Sequence, residues 1–186
     1  MLTLQITATE RLRLRRLNLR DAAFILELVN EPAWIRNIGD KHVRTLCDAE
    51  RYIRDAVLRM YERLGYGLYL VESRESGDPM GICGFVRRDS LEGPDLGFAF
   101  LQRYWGVGYA GEAAAAVMSH AWNTLGFTRV LAIASRRNER STRLLERLGF
   151  GFLFAMRVDA GDEVDVYARE KLARDDESNV GRALGS

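Results

Sequence analysis

The 186 residues, 47% of them hydrophobic, suffice for one domain with a full-sized core but not for a second catalytic domain. Lys and Arg (27) nearly cancel Asp and Glu (26), so a net charge of +1 gives no global field to recruit nucleic acid or an anionic membrane. Two cysteines, Cys47 and Cys83, and two histidines supply no metal-ligand cluster, and no apolar run reads as a signal peptide or membrane span; the expectation is a cytoplasmic protein with reduced thiols.

Along the chain, Arg11 to Leu17 (RLRLRRL) alternates charged and apolar residues with the period of a half-buried strand, Leu12 and Leu14 sharing one face. DAAFILELVN predicts a short helix stopped near Pro32, followed by a loop, EPAWIRNIGDKHVR. TLCD, Thr45 to Asp48, has the form of a capping box, and beyond it Ala49, Tyr52, Ile53, Ala56, Val57 and Met60 recur at helical spacing until Gly65. GLYLVES, MGICGFVRR and DLGFAFL predict three strands of an antiparallel meander, with turns at SGDP and EGP. Ala110, Ala114, Val117, Met118, Ala121, Trp122 and Leu125 mark the apolar face of a further helix, and RVLAIAS the next strand. Asn138 is suited to cap a helix whose inner face is Leu144, Leu145 and Leu148, and FLFAMRV, a DAGD turn and EVDVYAREKL close the chain as a hairpin. The predicted order is β-α-α-β-β-β-α-β-α-β-β, an α/β (α+β) mixed sheet in a single domain over residues 1–172, with 173–186 as a flexible tail.

In RYWGVGYAGEAAAA, Gly106, Gly108 and Gly111 spell the G-x-G-x-x-G of a dinucleotide-binding turn. Three features speak against that coenzyme. Residues Gln102 to Trp105 separate the preceding strand from Gly106, three strands of meander come first, and the next strand ends in Ser135, Arg136 and Arg137 where an acidic ribose partner is expected. Those arginines would suit a 2′-phosphate, so an NADP-binding oxidoreductase stays as one alternative. No Gly-Lys-Ser/Thr follows, which removes a Walker-type loop. What survives is a strand, a glycine-rich turn and a helix whose first turn offers unpaired N–H groups and a positive dipole end to a pyrophosphate.

Arg103-Tyr104-Trp105-Gly106-Val107-Gly108 resembles the R/Q-x-x-G-x-G/A signature of the GNAT N-acetyltransferases, in the branch of the RimJ/RimL ribosomal-protein acetyltransferases. ATERLRLRRLNLRDAAFILELVNEP resembles that family's opening strand and helix, and NERSTRLLERLGF its N-x-x-S segment, so the likeness runs from Thr9 to Leu172. The resemblance implies the GNAT acyl-CoA N-acyltransferase fold and acetyl-CoA as cosubstrate. It assigns the CoA pyrophosphate to backbone groups from Arg103 through Trp105, Gly106, Val107, Gly108 and Tyr109 to Ala110. The pantetheine arm falls to Phe98, Ala99 and Phe100, where a backbone N–H would face the thioester carbonyl, and a further cofactor contact to Asn138. It also allows a homodimer, and implies no metal.

Acetyl transfer needs a base for the acceptor ammonium and a proton for the departing thiolate. By the same resemblance Asp95 is the candidate base, although a turn residue after Gly93-Pro94 reads equally well. The tyrosine acid common in the family is replaced by Leu145, and Ser141 is the candidate partner of the thiolate, against the plainer reading of a residue that supports the first turn begun at Asn138. Trp34, Arg36 and His42 are candidates for an acceptor pocket, with Trp34 also read as a packing anchor, and RRDSLEGPD is a second possible rim. Arg136, Arg137, Arg140 and Arg143 are either contacts for the 3′-phosphate of CoA or solvated surface charges. The expected function is N-acetyl transfer from acetyl-CoA to a protein N-terminus or a small-molecule amine through a ternary complex. A non-catalytic acyl-CoA-binding or regulatory module is the other alternative.

Overall fold

In the computed structural model, which describes residues 4–157, 163–173 and 175, the alternation at Arg11–Leu17 becomes strand β2 (Leu12–Arg16), with Leu12 and Leu14 fully buried. Its arginines are not simply solvated. Arg13 and Arg15 both pair with Glu72 of β3 (Leu68–Ser73), and Arg15 also holds Asp21 through two hydrogen bonds of 2.8 and 2.9 Å. Glu72 and Asp21 are both buried, so each carboxylate is compensated by a guanidinium that the strand period delivers to the same face.

Two elements add to the predicted order. A short strand β1 (Gln5–Ala8) pairs antiparallel with β2, and the loop after α1 (Ala22–Val29) contains α2 (Pro32–Ile38). Pro32 begins that helix instead of only ending the one before it, because a proline in the first turn loses no intrahelical hydrogen bond. The predicted capping box forms in both directions: Thr45 Oγ1 accepts from Asp48 N–H at 3.1 Å and Asp48 Oδ2 accepts from Thr45 N–H at 3.0 Å. It opens α3 (Leu46–Tyr52), which runs through a π-type stretch (Ile53–Leu58) into α4 (Arg59–Leu64), ended by Gly65 at φ +77°.

The described strands form one eight-stranded mixed sheet, order β1-β2-β3-β4-β5-β6-β8-β7, with β4 (Pro79–Arg87), β5 (Pro94–Phe100), β6 (Arg129–Ser135), β7 (Gly151–Arg157) and β8 (Glu163–Glu170). Helix α5 (Tyr109–Asn123) lays Ala113, Ala114, Val117, Met118 and Ala121 onto the sheet, all buried, and the alanines permit close approach. Helix α6 (Glu139–Arg147) follows β6. The DAGD turn lies outside the described residues, as does the expected tail apart from residues 173 and 175; Asp175 is tied to Arg169 at 2.7 Å. No described helix is long and apolar enough to cross a membrane.

The sheet is not evenly knit. Strand β5 pairs with β4 at seven successive positions, from Gly81↔Phe100 to Arg87↔Pro94, but with β6, its one parallel neighbour, only at Asp95↔Leu131. Beyond Asp95 the two strands part.

Candidate active site

The parting of β5 and β6 opens into a cleft of about 920 Å³ that runs from the glycine loop and α6 on one side to α2, the π-type stretch and the β4–β5 loop on the other. The main chain of β5 faces this gap in a defined way. Leu101 N–H donates to Met80 O at 3.0 Å, which fixes the antiparallel alternation so that residues 95, 97 and 99 turn their peptide groups toward β4, and 96, 98 and 100 turn theirs toward the gap. Phe100 C=O is taken by Trp105 Nε1 at 2.8 Å, while the N–H and C=O of Phe98 meet no strand. An extended ligand can therefore add to this edge as a strand would.

Gly106 and Gly108 lie in the left-handed region, at φ +85° and +89°, where a Cβ would be strained. Gly108 sits at the N-cap of α5 with no side chain capping the first turn, so the opening N–H groups are left to an anion, and a Cβ built on Gly106 would meet no neighbour. This open cradle fits a pyrophosphate. Arg140 and Arg143 of α6 line the same side, with Arg140 5.3 Å from the Trp105 ring centroid. The loop is braced from the far end of the sheet: Arg11 donates to Val107 O at 3.1 Å, pairs with Glu112 at 2.6 Å and lies over the Tyr109 ring, while Thr9 donates to the same Glu112 carboxylate at 2.5 Å.

Asp95 stands where the strands part. It is 1% exposed and lines the cleft; Oδ2 accepts from Arg88 Nε at 2.5 Å and Oδ1 has no hydrogen-bond partner. Burial pushes its carboxyl up to about 6, opposed by the charge and hydrogen bond of Arg88 and by the nearby Ile133 N–H. The carboxylate is therefore ionised at neutral pH yet more basic than an exposed one. Ser141, half-buried, also lines the cleft, and its backbone N–H donates to Asn138 Oδ1 at 3.2 Å. The Asn138 side chain thus caps α6, as the sequence predicts, while the residue itself borders the cleft.

The cleft brings together Phe98, Ala99, Phe100, Trp105, Gly106, Val107, Gly108, Tyr109 and Ala110 with Asp95, Asn138 and Ser141. Arg103 lies outside it: its guanidinium pairs with Glu27 of α1 at 2.5 Å. Of the acceptor candidates Trp34 lines the cleft, whereas Arg36 and His42 do not, and His42 is 86% exposed beside Asp40. Arg136 is spent on Glu163 and Asp165. Sequence reasoning missed Lys41 and Arg88 as lining residues, and the Arg88–Asp95 and Arg11–Glu112 pairs; only the singling out of RRDSLEGPD as a rim pointed toward Arg88. Neither cysteine lines the cleft: Cys47 is exposed, and Cys83 is buried with its thiol pushed well above the usual range by burial.

Over residues 11–151 the chain matches the acetyltransferase (GNAT) domain family. It belongs to the GNAT acetyltransferases. This acetyltransferase is similar to YkkB of Bacillus subtilis, 30% identical over 153 residues that span 77% of this chain and 84% of YkkB. Among solved structures, a GNAT-family acetyltransferase from Bordetella pertussis shares the fold at a TM-score of 0.75 and 26% identity, over 88% of this chain and 98% of that one. RimL, a ribosomal alpha-N-protein acetyltransferase solved in complex with coenzyme A, has the same fold at a TM-score of 0.77 and 19% identity, over 89% of this chain and 97% of its own.

Proposed function

We propose that this GNAT chain transfers the acetyl group of acetyl-CoA to a primary amine, by direct attack within a ternary complex in the cytoplasm. The observation that carries the reading is the single-position contact of β5 and β6, which leaves the Phe98 peptide edge free beside a buried, half-partnered carboxylate, Asp95. The thioester supplies the acetyl group, held with its pantetheine arm along Phe98–Phe100 and its pyrophosphate at Gly106–Ala110. Asp95 takes a proton from the acceptor ammonium, directly or through water, and the neutral nitrogen attacks the thioester carbon. Phe98 N–H is the donor for the oxyanion that develops on the carbonyl oxygen. As the C–S bond breaks, Ser141 Oγ–H hydrogen-bonds or protonates the leaving thiolate. Direct transfer is favoured over a covalent enzyme intermediate because the residues lining the cleft include no cysteine. The RimL neighbour's action on a ribosomal protein makes a protein N-terminus one acceptor class; small amines are the other.

The test follows free thiol released from acetyl-CoA across N-terminal peptides of ribosomal proteins and a panel of small amines, with acetyl-CoA binding measured by calorimetry. Thiol release that Asp95→Asn and Ser141→Ala each diminish supports the proposal. Acetyl-CoA binding with no turnover of any amine would favour a non-catalytic acyl-CoA-binding module, and no binding would sink both.

A further inference from the structure

The cleft wall opposite the glycine loop carries an uneven set of charges. Lys41 and Arg88 both line it. Arg88 spends only Nε on Asp95, and its two terminal amino groups make no hydrogen bond among the described residues; Lys41 pairs with no acid there. Partial burial, with the nearby Arg88 charge adding to it, holds the Lys41 ammonium below its usual pKa although Lys41 lies at the exposed rim. Glu31 is already engaged, accepting from Gln102 N–H at 3.0 Å. Of the two acids that line the cleft, only Asp95 pairs with either cation, and it does so through Arg88 Nε alone.

A third donor borders the same cleft. Trp34 is 6% exposed and lines the cleft, yet its indole Nε1 has no hydrogen-bond partner. A buried donor left unpaired is costly, so its natural complement is an oxygen brought by the ligand. Beside Asn37 and the Tyr52 hydroxyl, the rest of this wall is apolar, with the Tyr52 ring and Met60 from the helix with the π-type stretch, Leu68 from β3 and Val86 from β4. Oδ1 of Asp95, buried and unpartnered, is the complementary acceptor for an N–H.

We propose that the acceptor is a free apolar amino acid, with its carboxylate held by Arg88, Lys41 and the Trp34 indole, its amine at Asp95, and its side chain against Tyr52, Met60, Leu68 and Val86. The assignment rests on the acetyl-transfer reading. A polyamine would add cations to a site already rich in them. A peptide N-terminus replaces the α-carboxylate by a neutral amide and offers no counter-charge to Lys41 or to the terminal amino groups of Arg88.

The experiment compares leucine and methionine with leucinamide and methioninamide as acceptors, scored as kcat/KM by thiol release. Calorimetric binding of the same four compounds to the CoA-loaded protein runs alongside. The acids are expected to exceed their amides about tenfold or more, the value of one charge-assisted contact. Lys41→Gln and Arg88→Gln should each cut the acid-to-amide ratio at least threefold, on the order of one weakened ionic contact. Because Arg88 touches Asp95, Lys41→Gln at the exposed rim decides the matter if the Arg88 variant folds poorly. Amides that match or exceed the acids, or a ratio unmoved by Lys41→Gln, would overturn the assignment while leaving acetyl transfer intact. If no amine is turned over, the transfer reading fails separately; the carboxylate site then stands if leucine binds better than leucinamide and falls if it does not.

Discussion

The glycine-loop side of the cleft is built on one unbroken run, Tyr104 to Gly111, flanked by the β5 edge and α6, while the opposite wall draws Trp34, Lys41, Tyr52, Met60 and Arg88 from four separate segments. The first is made largely of main chain: two glycines at positive φ, uncapped N–H groups and a free strand edge. The second is made of side chains whose positions depend on how α2, the long helix and the β4–β5 loop pack. Binding on the first wall is therefore sensitive to backbone geometry and tolerant of side-chain change; on the second the reverse holds. Asp95 belongs to both, since it sits at the one position where β5 still touches β6.

Asp95→Asn should have the largest effect, because it removes the proposed proton acceptor from the shared apex. We expect kcat to fall about 10²- to 10⁴-fold with acetyl-CoA affinity little changed, read by steady-state kinetics and calorimetry. In the wild type kcat/KM should fall about tenfold per pH unit below about pH 6, as the carboxylate protonates. Stability runs oppositely. The folded-state pKa is raised from 3.8 to about 6, so the native state binds the extra proton between those values. The stability linked to it is fully present below 3.8 and lost as pH rises through about 6, roughly 2 to 4 kcal/mol in all. Asp95→Asn should flatten that dependence and unfold no earlier than wild type at pH 8; an early-melting variant would make Asp95 a structural residue.

Gly108→Val comes next and separates the two walls. A β-branched residue at φ +89° distorts the loop, and acetyl-CoA affinity should fall about 10- to 100-fold while KM for the amine moves much less. Equal losses on both substrates would mean that the walls are not independent. Arg11→Ala removes the brace on Val107 O and Glu112, and we expect a milder loss, about three- to tenfold in acetyl-CoA affinity, through loosening rather than lost ligand contact. Arg103→Ala should be the smallest: its exposed pair with Glu27 lies outside the cleft, so acetyl-CoA affinity should stay within about twofold. A larger drop would return Arg103 to the cofactor site.

Local devices were legible because their partners lie within a few residues. The Thr45–Asp48 box, the Asn138 cap and the Gly65 stop all act within one helical turn, and each stands as read. The alternation of RLRLRRL gave the strand and its buried leucines, but not that Arg15 would grip Glu72, 57 positions away. In the sequence Pro32 reads only as a stop, because a proline that ends one helix and one that opens the next carry the same local signal. The Arg11–Glu112 brace spans 101 positions and left no periodic trace.

From the sequence alone came the order of most elements, the glycine turn before α5 and the likeness to the GNAT acetyltransferases. These follow from hydrophobic period, glycine geometry and short capping bonds, which the chain carries wherever it goes. The tertiary structure decided where β5 and β6 part, that Asp95 is buried at that point beside Arg88, and which cations line the cleft wall opposite the glycine loop. Such properties depend on desolvation and on charges brought together from distant segments, and neither exists until the sheet has formed and the helices have packed against it.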